Sequence, residues 1–152
     1  MPIPVLRSPH DKVGGLVYFG RMLDKIRLHA AGKLPAQYHP NFGEGTFYFY
    51  DGRCCRFLGV KHQALVKRVR RGGTDLQVLR WCYQQGGRRT AEQIAIWNTF
   101  MAKRGWRDEV SAELEEEKAA LGFGRRKDIL TWFDLFDAEE GRKVRHVTEP
   151  VI

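Results

Sequence analysis

Apolar residues along this chain recur mostly at three- and four-residue spacing, and glycines cut the pattern into segments. The first and longest segment covers residues 8–33. Ser8, Pro9 and Asp11 form a helix-start signature ahead of it, and Gly32 supplies a stop. At about 100° per residue, Leu16, Gly20, Leu23, Val13, Ala31 and Val17 gather on one side of the projected helix. Residues 33–45 contain Pro35 and Pro40 and read as a long irregular connection. Beyond them the periodicity predicts helices over 61–71, 74–86, 90–105, 108–121 and 128–140, each closed by glycine. Thr74 or Asp75 can cap one of these, and Thr90 with Gln93 makes a capping box for the next.

Residues 46–58 support two readings. As a hairpin, two β-rich runs flank an Asp51-Gly52 turn. As a short helix, Asp51 caps the start, Cys54, Cys55, Phe57 and Leu58 share a face, and Gly59 ends it. Helical neighbours on the C-terminal side favour the helix. With either reading the chain is an all-α protein of six or seven helices. Its 152 residues suit one domain with a sufficient core, ending in a polar, frayed tail over 142–152. No internal repeat is present.

Two residues break the first helix's pattern. Arg27 projects between Leu16 and Gly20, and Asp24 between Ala31 and Val17, so both face the expected core. A carboxylate and a guanidinium there are costly unless paired and hydrogen-bonded. The pair is either a structural bridge or the wall of a polar pocket. In the pocket reading Arg27 holds an anion through its planar fork, and Asp24 orients it or acts as general base. Arg21 and Lys25 lie on the adjacent, more polar flank and can join such a site, as can Asn98 at the edge of another apolar arc. Gly14 and Gly15 read as a loosened first turn, and His10 as a surface residue near it.

Net charge is +8, which fits an anionic partner or merely a basic surface. The basic residues fall in short clumps at 67–71, 88–89, 125–127 and 142–145, without interleaved aromatics, which weakens a single-strand nucleic-acid reading. Three cysteines and an N-terminus unlike a signal peptide point to a reducing cytoplasm, and no apolar run reaches membrane-spanning length. Cys54-Cys55 is flanked by Arg53 and Arg56, yet buried packing explains it better than a nucleophile. The five histidines are scattered, with no metal-binding spacing. Neither GxGxxG nor GxxxxGK[ST] nor GxSxG occurs, so no cofactor is expected.

Three blocks, SPHDKVGGLVYFGRMLDKIRLHAAGKLP, DGRCCRFLGV and WNTFMAKRGWRDE, together resemble the bacterial DUF5069 family. The resemblance spans residues 7–141 and implies one small domain without implying an activity. The aromatic stretch 46–50 lengthens the link between Asn41-Phe42-Gly43 and Asp51 relative to the family pattern.

Three functions remain in play. The first is a site for a small anionic ligand built on Arg27 and Asp24 with Arg21, Lys25 or Asn98 nearby, with general acid–base catalysis as an extension. The second is a non-specific nucleic-acid-binding module using the basic clumps. The third is a protein-interaction or oligomerisation domain.

Overall fold

Gly14 and Gly15 do not loosen a helix; they turn the chain back on itself. The computed structural model describes residues 5–145. Within it, β1 (Lys12–Val13) and β2 (Leu16–Val17) pair antiparallel, Lys12 opposite Val17 and Val13 opposite Leu16. The two-residue loop between them needs positive φ at both positions, and the glycines supply 56° and 84°. A Cβ on Gly14 would lie 2.5 Å from Leu79 Cδ2, so the turn also packs closely. The first helix therefore starts ten residues later than the Ser8-Pro9 signature implies: α1 runs Phe19–Ala30. Ser8 instead caps a turn, accepting at Oγ from the His10 amide and at its carbonyl from the Asp11 amide.

The rest is helical, as periodicity indicates. A short 3₁₀ helix (Ala36–Asn41) occupies part of the expected irregular loop. Then follow α2 (Tyr50–Leu58), α3 (His62–Arg70), α4 (Asp75–Gly86), α5 (Ala91–Lys103), α6 (Ser111–Ala120) and α7 (Trp132–Glu139). Within 46–58 the chain thus forms a turn followed by a helix over 50–58, and not a hairpin. Asp51 is not its cap, because Phe49 holds that position and Asp51 sits in the first turn. The fold is all-α, with seven α-helices and one small ribbon among the described residues. Capping boxes start α4 (Thr74, Gln77), α5 (Thr90, Gln93) and α7 (Thr131, Asp134). The third of these explains why α7 begins at Trp132 and not near Asp128.

The main core gathers Phe19, Met22, Leu23 and Ile26 of α1 with Cys54, Cys55 and Leu58 of α2, Leu65 of α3, Cys82 of α4, Met101 of α5 and Phe133 of α7. A smaller cluster of Leu114, Ile129 and Leu135 joins α6 to α7. The helix α1 is central: Phe19 to Leu23, Lys25 and Ile26 are all buried, and its outer side is left to the half-buried Asp24, Arg27 and Leu28. Residues 142–145 open the stretch expected to fray, but they are tied down. Arg142 pairs with Asp137 and Glu140 and donates to the Leu6 carbonyl, and Arg145 pairs with Asp11. The remainder of that tail, 146–152, lies outside the described residues. No helix among the described residues is long and apolar enough to cross a membrane.

Candidate functional site

The expected Asp24–Arg27 pair does not form. Asp24 is gripped by Arg7, whose backbone amide donates at 2.8 Å and whose Nε and Nη2 donate at 3.0 Å each. Arg27 donates from Nη1 to Asp75 Oδ1 at 2.6 Å, and Arg7 reaches the other oxygen of Asp75, also at 2.6 Å. The four side chains make one alternating file, Asp24–Arg7–Asp75–Arg27. The file is partly wet: the Arg27 side chain is 37% exposed and that of Asp24 20%. Both residues border an open cleft with Leu6, Asp11 and Arg142. Their charges neutralise one another there, which makes the file a surface brace.

Arg21 and Lys25, placed by the sequence on a polar flank, are the buried pair, at 4% and 3% exposure. Each meets a remote acid. Arg21 makes a two-pronged bond with Glu140, 2.8 Å from Nη1 and 2.6 Å from Nη2. Lys25 Nζ lies 2.9 Å from Asp51 Oδ2 and donates to the Asn41 carbonyl at 2.7 Å. Asp51, fully buried, also accepts from the Tyr18 hydroxyl at 2.6 Å and the Gly43 amide at 3.0 Å. Gly52 is what lets the loop approach: a Cβ there would lie 2.0 Å from the Glu44 carbonyl oxygen.

Tyr18, Arg21 and Lys25 line a cavity of about 420 Å³. The 3₁₀ helix contributes Tyr38 and Asn41, the loop before α2 contributes Tyr48 and Phe49, and α7 contributes Trp132, Phe136 and Glu139. Arg104 and Glu117 complete the polar rim. Tyr18 holds a left-handed backbone, φ 72°, at the junction of ribbon and helix. Such strain in a residue with a bulky side chain persists only where surroundings enforce it, and it gathers at functional positions. The packing against Phe133 and Tyr50 and the bond to Asp51 are that enforcement here.

Titration in the cavity is shifted in opposite directions. Burial lowers the Lys25 pKa, outweighing the attraction of Asp51. Burial raises Glu139, reinforced by Glu140 and Glu117. Burial pushes Tyr38 up to about 12, with help from its bond to Glu140, and raises Tyr18 well above its usual value. Lys25 is thus moved toward neutrality and Glu139 toward protonation, although Lys25 Nζ keeps Asp51 and the Asn41 carbonyl as partners.

Asn98 is elsewhere. It is fully buried, accepts from the Val17 amide at 3.0 Å and donates to the Gly15 carbonyl at 2.7 Å. With Trp97 Nε1 donating to the Val17 carbonyl at 3.1 Å, it staples the ribbon to α5 and borders neither cavity nor cleft. Cys54 and Cys55 are both fully buried free thiols, with burial raising their pKa. The His10 ring is also mostly covered, meeting Phe133 edge-on at 5.1 Å. No group of three His, Cys, Asp or Glu among the described residues is arranged to hold a metal ion.

Sequence reasoning missed Tyr18, Asp51, Glu139 and Glu140. The adjacent glycines were the available signal for Tyr18, since a Gly-Gly turn predicts a hairpin and hence a junction residue. Nothing local marks Glu140 as the partner of Arg21. No curated protein matches the chain. A family model described as a domain of unknown function matches residues 3–142, and the chain belongs to that family, DUF5069.

Proposed function

We propose that the protein binds a small anionic ligand with a planar or aromatic body in the cavity beside α1, with Lys25 and Glu139 available for acid–base chemistry. The observation that carries this reading is a buried lysine of lowered pKa on the wall of an aromatic cavity. Three cations border that space, Arg21, Lys25 and Arg104, and rings from Tyr38, Tyr48 and Trp132 can sandwich a planar group. This reading moves the candidate base and anchor away from Asp24 and Arg27, because those two border the open cleft and not this cavity. Three free thiols fit a reducing compartment such as the cytoplasm.

Native mass spectrometry of the gently purified protein tests the reading, alongside thermal shifts with benzoate, phosphate and phenyl phosphate. A retained adduct or a shift of several degrees is expected, lost in Lys25→Met and Arg104→Gln variants that keep the wild-type circular dichroism. No adduct and no shift with any probe, or an adduct indifferent to both substitutions, would sink it.

A further inference from the structure

Folding assembles an arginine–aromatic surface that the basic clumps do not reveal. Phe47, Tyr48 and Phe100 are large rings left 68%, 52% and 42% exposed. Three guanidiniums alternate with them. Arg56 lies 5.8 Å from the Phe47 ring centre, and Arg53 lies 5.2 Å from Phe47 and 4.9 Å from Phe100. Arg104 lies 5.3 Å from Phe100 and 5.9 Å from Tyr48. The stripe crosses from the loop before α2, over α2, to the end of α5, and none of its arginines belongs to a sequence clump.

The charges in the stripe are unevenly balanced. Arg104 has Asp108 and Glu109 beside it. Arg53 and Arg56 form no ion pair among the described residues; each donates to the Phe47 carbonyl, at 3.3 and 2.9 Å. Burial and the nearby cations of Arg104 and Arg56 lower the Arg53 pKa, the mark of positive charge held without enough counter-charge. An incoming anion relieves that crowding.

We propose that this surface binds single-stranded nucleic acid, with phosphates at Arg53 and Arg56 and bases stacked on Phe47 and Phe100. The alternation is what that polymer demands, since each of its units presents one negative charge and one flat π face. Acidic protein segments would use the guanidiniums but leave the rings bare, and duplex DNA would hide its bases from them. The proposal does not depend on the cavity, and the residues it tests do not line it.

Fluorescence anisotropy of the full chain with short labelled oligo-U and oligo-dT provides the test, over a salt series. Saturable binding of either oligonucleotide is expected, and the tighter one identifies RNA or DNA as the strand. Affinity should fall with salt along a log–log slope of about −1.4, corresponding to two phosphates. Arg53→Gln or Arg56→Gln should flatten that slope by about 0.7. Phe47→Ala and Phe100→Ala should each weaken binding about tenfold at unchanged slope. An Arg126→Gln control should leave binding as it was. All four test positions lie at the surface or its edge, and thermal melts will show that the variants fold. Absence of binding at low salt would overturn the proposal. So would indifference to the ring substitutions, or displacement by poly-glutamate as effective as by unlabelled oligonucleotide.

Discussion

Arg7 holds Asp24 through three hydrogen bonds, one from the backbone and two from the guanidinium, across 17 residues of chain. The carboxylate thereby ties the segment before the ribbon to α1. Asp24→Ala should cost about 1–3 kcal/mol in urea denaturation, since it removes charged hydrogen bonds while Arg7 keeps Asp75. Arg27→Ala should cost less than about 1 kcal/mol, as a half-exposed pair contributes little. A double-mutant coupling well above 1 kcal/mol between the two would restore the direct partnership that the structure denies.

Asn98 is the second structural prediction. Asn98→Ala leaves the Val17 amide and the Gly15 carbonyl without this partner, and each stranded buried group costs roughly 1–3 kcal/mol. Asn98→Asp keeps the acceptor for Val17 but sets a carboxylate oxygen against the Gly15 carbonyl, so its loss should be as large at neutral pH and smaller in acid. Melting curves of both variants across pH decide the matter. An unchanged Asn98→Ala melt would mean that the ribbon needs no staple.

Acid should unfold the protein in two stages. Burial lowers His62 from 6.5, so the native ring stays neutral while the unfolded chain takes up protons below about that pH. Stability accordingly begins to fall there and continues down to the folded value. Burial by itself would raise Glu140, but bonds from Arg21, Tyr38 and Arg142 bring it below 4.5. Its contribution is complete above 4.5 and is lost as pH drops through the folded value, with Asp75 behaving alike below 3.8. Glu139, raised, opposes them: its share is present below 4.5 and is lost as pH rises through its folded value. Urea midpoints measured against pH should show the first stage flattened in His62→Gln. Glu140→Gln should flatten the second and lower the plateau. A wild-type midpoint constant from pH 7 to 3 would contradict both.

Much of this architecture was legible and some of it was not, for reasons that can be named. The starts of α4 and α5 were readable because Thr74 and Thr90 bond to residues three positions away. The ribbon escaped notice because Val13, Leu16 and Val17 also satisfy a helical projection. Including them in α1 rotates its projected apolar stripe until Asp24 and Arg27 face inward. The true stripe is Phe19, Met22, Leu23 and Ile26, and even that hardly matters, because neighbours cover Arg21 and Lys25 too. Which cation of a surrounded helix is buried depends on acids 26 and 119 positions away, at Asp51 and Glu140. Spacing along the helix carries no record of them.

The thiols should be inert. Burial raises the pKa of all three, Cys82 to about 12, and Cys54 and Cys55 have no exposed surface. Labelling of the folded protein by a chromogenic disulfide reagent at neutral pH should be slow and should accelerate in step with unfolding. One rapidly modified thiol in native buffer would revive a nucleophilic role.

The bonds between Arg21 and Glu140, and between Ser8 and Asp137, join positions 119 and 129 residues apart. A chain emerging from the ribosome has therefore made α1 long before it has made the helix that neutralises it. Until then Arg21 has no acid at Glu140 to enter the interior with, and Phe133 is missing from the core. Closure around α1 must wait until α7 and Glu140 have been synthesised, so nascent fragments ending before Trp132 should remain open and protease-sensitive.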